Sequence, residues 1–244
     1  MSGTLFIVAT PIGNLEDMSY RAVRILSEVD LIACEDTRQT GVLLKHYGIQ
    51  ARSLTSFFEH NEIKKTAEVL DRLKRGEMVA VVSDAGTPTI SDPAFRLVRE
   101  ARQGGFTVVT IPGPSAAIAA LSISGLPTDS FVFEGFLPVK KGRQSRWKAL
   151  QHEDRTIILY ESPHRLLRML DEARTYVGER PTVVARELTK KFEEIVHGTP
   201  DELIDHFTKR PPKGEFVVLI AGKSYAAKLE KAAIDLTLEV KFDK

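Results

Sequence analysis

VAVVSDAGTPTISDP, residues 79–93, is the stretch that decides the fold. Its first four residues, Val79-Ala80-Val81-Val82, are apolar and three of them are β-branched, the composition of a short strand buried on both faces. Ser83 and Asp84 end the run. Gly86, Pro88 and Pro93 then make a corner that neither a strand nor a helix can pass through unbroken. A buried strand stopping in a glycine- and proline-rich corner is the signature of an open α/β sheet, where ligands collect beyond the carboxyl ends of the strands.

Working outward, the same grammar repeats. Leu5 to Thr10, Leu31 to Glu35, Val79 to Asp84 and Thr107 to Ile111 read as buried strands. Tyr20 to Val29, Arg38 to Tyr47, Asn61 to Arg75 and Phe95 to Gln103 carry apolar residues at three- and four-residue intervals and read as helices, two of them followed by Gly48 and Gly76. Alternation of strand and helix predicts a mainly parallel sheet covered by helices. A small-residue helix from Ser115 to Ser124 follows. Strands are then expected at Ser130 to Phe136, Thr156 to Glu161, Thr182 to Glu187, Glu194 to Thr199 and Glu215 to Ala221. With fewer helices between the last three, this second sheet should be mixed or partly antiparallel. The expected organisation is an N-terminal α/β domain over 1–125, a C-terminal α/β domain over 126–223 beginning near Leu126-Pro127-Thr128-Asp129, and a short helix and tail over 224–244.

Composition narrows the function classes. The 244 residues are 43% hydrophobic, enough for real cores. Thirty-four basic and thirty-three acidic residues leave a net charge of +1, so a polyanionic partner would need a local basic patch. The one cysteine, Cys34, excludes an intramolecular disulfide, and no Cys/His grouping has zinc-ligand spacing, so no metal is expected. No span approaches bilayer length and no secretory leader is expected, which points to the cytoplasm.

Three corners carry candidate chemistry: Ala9-Thr10-Pro11-Ile12-Gly13-Asn14-Leu15, then Ser83 to Pro93, then Ile111-Pro112-Gly113-Pro114-Ser115-Ala116-Ala117. Each follows a strand, and the third opens a helix whose first amides are free to donate. Any one alone reads first as a tight turn. None is a dinucleotide G-x-G-x-x-G, a Gly-Lys-Ser/Thr phosphate loop or a nucleophile elbow, which disfavours a dehydrogenase, an ATPase and a serine hydrolase.

Taken in order, ATPIGNL (9–15), ACEDTR (33–38), VSDAGTPTISDP (82–93), IPGPSA (111–116), SGLPTDSFVFEGFLP (124–138) and YESPHR (160–165) resemble the ribosomal RNA small-subunit methyltransferase I family over residues 4 to 222. The resemblance implies the tetrapyrrole-methylase fold, shared with precorrin methylases and diphthine synthase, with two α/β domains and the cofactor in the cleft between them. It implies a homodimer, S-adenosylmethionine as cofactor, and methylation of a cytidine ribose 2'-hydroxyl in the decoding region of 16S ribosomal RNA, within the 30S subunit. Ala94 departs from the pattern, since relatives commonly have glycine there.

The resemblance maps cofactor contacts onto Pro11, Gly86, Thr87, Pro88, Ile90, Ser115 and Ala116. In the second domain it maps Tyr160, Glu161, Gly214, Glu215 and Phe216. Asp92, like Asp84, either meets the amino group or organises its own turn. A ribose hydroxyl needs a proton acceptor. Glu35, Asp36 and Arg38, at the end of the second strand, are candidates, although Asp36 equally suits the N-cap of the next helix. His164 is another, because imidazole moves protons near neutrality, although a lone histidine is more often scaffold. For RNA, Lys140, Lys141, Arg143, Arg146 and Lys148 cluster around Trp147, which is expected to pack inward. The rival readings are a methylase of the same fold acting on a small substrate such as a precorrin, and a noncatalytic RNA-binding assembly factor.

Overall fold

The computed structural model describes residues 2–229. Its contacts divide the chain into two compact units, the first ending at Ser115 and the second beginning at Ala116. Among the described residues, no helix is long and apolar enough to cross a membrane.

In the first unit the strands are β1 (Thr4–Val8), β2 (Leu31–Cys34), β3 (Leu54–Ser56), β4 (Met78–Val82) and β5 (Thr107–Ile111). They form a wholly parallel sheet in the order β3-β2-β4-β1-β5. The helices are α1 (Tyr20–Glu28), α2 (Thr37–His46), α3 (Glu62–Lys74) and α4 (Phe95–Gln103). Two apolar cores flank the sheet: Leu5, Leu31, Val79 and Val81 pack towards α3 and α4, whereas Val8, Ile32, Ala80 and Val82 pack towards α1 and α2. The alternation along each strand follows from successive side chains pointing to opposite faces. Because every strand runs the same way, all five carboxyl ends lie along one edge, and the loops that follow them share it.

The second unit opens with α5 (Ala116–Ile123) and carries β6 (Phe131–Phe136), α6 (Arg143–Leu150), β7 (Thr156–Glu161), α7 (Leu166–Val177), β8 (Thr182–Arg186), β9 (Glu194–Gly198), α8 (Pro200–Lys209) and β10 (Phe216–Ile220). Its sheet has the order β6-β7-β10-β8-β9. Only β6 and β7 are parallel; the other pairs are antiparallel, giving the mixed sheet expected. At edge strand β6 the register shifts between Phe133 and Gly135, a bulge with Gly135 at φ +59°. The contacts group α5 with β7 and β10, so the second unit starts ahead of the turn at Leu126-Pro127. Residues 223–229 are helical; the remainder of the tail, 230–244, lies outside the described residues.

Candidate active site

The three corners lie on the carboxyl edge of the parallel sheet and are bonded to one another. Thr10 and Gly86 exchange backbone hydrogen bonds, Thr10 N–H donating to Gly86 O at 2.8 Å and Gly86 N–H to Thr10 O at 3.0 Å. Thr10 Oγ1 also donates to Ser83 O at 3.1 Å. Thr87 Oγ1 donates to Pro114 O at 3.0 Å, joining the second corner to the third. Gly86 sits at φ +82°, and a Cβ there would lie 3.5 Å from Ile12 Cγ2 and 3.8 Å from the Pro114 carbonyl, filling the space between the outer corners. A Cβ on Gly113 would come 3.0 Å from Ala9 Cβ. Pro11 and Pro88 are buried, Thr87 and Ser115 half-buried, and Ile90 exposed. The result is a rigid cradle of backbone polar groups and small side chains, the chemistry suited to an adenosine and an amino-acid tail.

The loop continues from the cradle into strain. Thr89 (φ +76°), Ser91 (φ +63°) and Ala94 (φ +92°) all have left-handed backbones. Such residues cost about 1–3 kcal/mol each and persist only when their surroundings hold them. Glu62 Oε1 supplies part of that hold by accepting from Ala94 N–H at 3.1 Å, and Ala94 itself is fully buried. Ala94 therefore holds a backbone that glycine adopts without strain.

Beside this loop lies a cleft of about 550 Å³, lined by Glu35, Ser91, Asp92, Phe95, Arg96 and Arg99 among others. Two of its acids, Asp92 and Glu35, resist ionisation. The Asp92 carboxyl is pushed up to about 6, first by burial and then by Glu35, with Asp84 adding to it and a hydrogen bond from Ser83 opposing it. Burial, then Asp84, pushes Glu35 up. Burial likewise raises Asp84, against the Asp36 N–H that donates to its Oδ1 at 3.0 Å. Carboxyl groups raised toward neutrality by burial and like charge are what proton-transfer sites require.

Asp36 has the opposite environment. Its Oδ1 accepts from Arg38 N–H at 2.8 Å, capping α2, and its carboxylate takes a two-pronged bond from the Arg38 guanidinium at 3.1 and 2.7 Å. Arg38 holds the acid at about 2. Of the two roles open to Asp36, the structure displays the cap, and an acid held ionised this firmly is a poor proton acceptor. Arg38, with its side chain 89% exposed, is committed to Asp36.

In the second unit several candidates have structural work. Glu161 is 2% exposed and accepts from Ser162 N–H at 2.9 Å and from Arg165 Nη2 at 2.7 Å, with Arg143 Nη2 at 3.6 Å. Arg143, 2% exposed, bonds Glu172 through Nε at 2.6 Å, and Trp147 Nε1 donates to the same Glu172 oxygen at 3.0 Å. Arg143 is thus withdrawn from the basic surface: it occupies an inward position on α6 together with Trp147 and Leu150. Glu161 is likewise buried, between its two arginines. Phe216 is 3% exposed and edge-to-face with Phe207 at 5.8 Å, inside the core.

Gly214 and Glu215 belong to a local knot. Gly214 has φ +88° and a Cβ there would collide with the Glu187 carboxyl at 2.4 Å, while Glu187 Oε1 accepts from Glu215 N–H and Lys190, both at 2.9 Å. The Tyr160 hydroxyl accepts from Ala117 N–H at 3.2 Å, fixing the first turn of α5, which begins at Ala116. His164 is exposed in the turn before α7. Lys140, Lys141, Arg146 and Lys148 do face solvent, and Lys140 and Lys148 line a pocket of about 430 Å³ with Arg168. Arg146 pairs with Glu134 at 2.7 Å.

The profile of the Tetrapyrrole (Corrin/Porphyrin) Methylases matches residues 4–204. A protein named Ribosomal RNA small subunit methyltransferase I, from Pseudomonas aeruginosa, is 53% identical over 225 residues, covering 91% of this chain and 79% of the relative. The chain belongs to this family of tetrapyrrole methylases. A crystal structure of diphthine synthase superposes with a TM-score of 0.71 at 15% identity, covering 90% of each chain. That of uroporphyrin-III C-methyl transferase from Thermus thermophilus, complexed with S-adenyl homocysteine, superposes with a TM-score of 0.61 at 16% identity, over 91% of this chain and 98% of the other. Both establish the methylase fold. Within this methylase, Glu59, Glu62, Phe95, Arg96 and Arg99 line the cleft outside the motifs that stand out in the sequence; the spacing of the last three reads only as one turn of an amphipathic helix. Among the described residues, no group of three or more His, Cys, Asp or Glu side chains is arranged to hold a metal ion.

Proposed function

We propose that this methylase transfers the methyl group of S-adenosylmethionine to the 2'-oxygen of a cytidine ribose in the decoding region of 16S ribosomal RNA, in the 30S subunit. The observation that carries the reading is the bonded cradle at the sheet edge, held in a chain whose relatives are named for small-subunit ribosomal RNA. Pro11, Gly86, Thr87, Pro88, Ile90, Ser115 and Ala116 would hold the cofactor, with Asp84 near its ammonium; Tyr160 would act indirectly, by fixing α5. The bound cofactor supplies a sulfonium-activated methyl that needs orientation rather than further activation. The chain's own tasks are to fix the acceptor hydroxyl in line and to take its proton. Lys140, Lys141, Arg146 and Lys148 offer the RNA backbone a basic surface. The same reading carries a homodimer in the cytoplasm.

The test is methyl transfer from labelled S-adenosylmethionine to 30S subunits lacking the modification, with the product nucleotide mapped. Label on one decoding-region cytidine ribose is the expected outcome. Transfer to a small tetrapyrrole instead, or cofactor binding with no transfer to subunits or naked 16S RNA, would overturn the RNA assignment. Absence of cofactor binding would leave the noncatalytic factor as the better account.

A further inference from the structure

The cleft of the first unit is a second feature of the same sheet edge, and its lining differs from the cradle's. Its wall is the first turn of α4, where Phe95 leaves an aromatic ring 67% exposed. Arg99, one turn on, carries its guanidinium 6.0 Å from that ring's centroid. Arg96 and Arg99 reach Glu100 only at 3.9 Å, outside hydrogen-bond range, so both cations can turn to a closer anion. Glu35, just after β2, and Asp92, on the strained loop, line the same cleft. An exposed ring, two cations and carboxyl groups around one cleft match the three faces of a nucleotide: base, phosphate and sugar hydroxyl.

We propose that this cleft receives one unstacked nucleotide of the RNA, its base on Phe95, its phosphate on Arg96 and Arg99, and its ribose 2'-hydroxyl on the Asp92 carboxylate, which accepts the proton. The inference rests on the function proposed above and names the acceptor's seat within it. The loop of residues 83–93 explains the arrangement: Gly86 to Pro88 face the cradle and Ser91 to Asp92 face the cleft, so one loop holds donor and acceptor sides together. As the new O–CH3 bond forms, the O–H bond breaks and the proton passes to Asp92. The electron pair of the broken S–CH3 bond stays on the donor's sulfur, which ends neutral.

The groups facing Asp92 explain why it, and not Asp36, is the acceptor. Glu35, just after β2, and Asp84 from the loop set like charge beside it, and Glu59, Glu62, Arg96 and Arg99 line the same cleft. Its carboxyl stands near 6, so it is ionised at pH 7 yet basic enough to take a proton. The four acids also limit the site to the sugar edge of one nucleotide, because a second phosphate would be repelled.

The experiment has a binding arm and a turnover arm. In the first, cofactor-free protein is titrated with a short single-stranded RNA carrying the decoding-region cytidine. Phe95→Ala and the double variant Arg96→Ala/Arg99→Ala should each weaken binding by about 10-fold or more, with binding of labelled S-adenosylmethionine unchanged. In the second, Asp92→Asn should bind RNA and cofactor as the parent does but lose about 100-fold or more in kcat, and the acid limb near pH 6 should vanish from the residual rate. Unchanged RNA binding in both α4 variants overturns the nucleotide seat. Full turnover by Asp92→Asn, or an acid limb that survives, overturns the proton acceptor. If the parent protein neither binds nor methylates RNA, both the inference and the reading beneath it fall; if the parent methylates and only the variants behave as wild type, the inference alone falls.

Discussion

Glu35 and Glu161 are both glutamates at the carboxyl end of a strand, one in each unit, and their environments are opposite. Glu35 ends in a cleft with other acids, and burial and Asp84 raise its carboxyl. Glu161 is more deeply buried but lies between Arg165 and Arg143, part of a network that extends through Glu172 to Trp147 and Arg168. A strand-end carboxylate therefore says little by itself. Whether a cation is built in beside it determines if it serves the scaffold or the chemistry.

Removing the built-in cation is the most severe test of that contrast. Arg143→Ala leaves two acids facing an emptied interior and should destabilise the second unit by about 3–5 kcal/mol. Trp147 is the only tryptophan of the chain and lies in that network, so its fluorescence during urea unfolding follows this unit directly. An unfolding midpoint like the parent's would show that the network contributes no net stability. Next in size, Gly214→Ala forces a Cβ into the Glu187 carboxyl at a left-handed backbone and should cost about 2 kcal/mol or more by the same measurement.

The first unit should respond with the opposite sign. Asp92 has its carboxyl at about 6 when folded, against 3.8 ordinarily, so the folded state holds the proton more tightly than the unfolded chain. Stability is then greatest below about 4, falls as pH rises to about 6, and is flat above. Asp92→Asn should abolish that slope and stabilise the unit at pH 7 by about 1 kcal/mol, a figure reduced from the full shift because the group is partly solvated. Hydrogen exchange in β2 and β4 measures it; equal or faster exchange would refute the raised carboxyl. The smallest effect belongs to Arg38→Ala, which removes an exposed pair and should barely move the melting temperature, while allowing Asp36 to protonate at higher pH than about 2.

Much of the first unit was legible in sequence because its signals are local. Three of its five strands, β1, β4 and β5, lead into corners of glycine or proline, β2 is a short apolar run of its own, and the corner residues are those whose backbone the turns require. β3 escaped notice at three residues, with no fully buried position. The second unit was harder for a physical reason. On α6 the inward positions are Arg143, Trp147 and Leu150, so an arginine stands where an apolar residue would have announced a helix, and the same arginine counterfeits a surface cation. In α7 the apolar spacing of Leu166, Met169, Leu170, Ala173 and Val177 was present but went unassigned. The cleft could not be read at all, since Glu35, Asp92 and Arg99 meet only once β2 and β4 are neighbours.

The bulge in β6 bears on how the protein behaves at high concentration. An outer strand carrying Phe131, Phe133 and Phe136 would be an inviting template for another chain to extend the sheet. The register break at Gly135 interrupts the row of backbone donors and acceptors and twists the strand, so a second molecule finds no straight ladder to copy. Filling that position with valine would straighten an adhesive margin, and self-association in crowded solution would be the consequence.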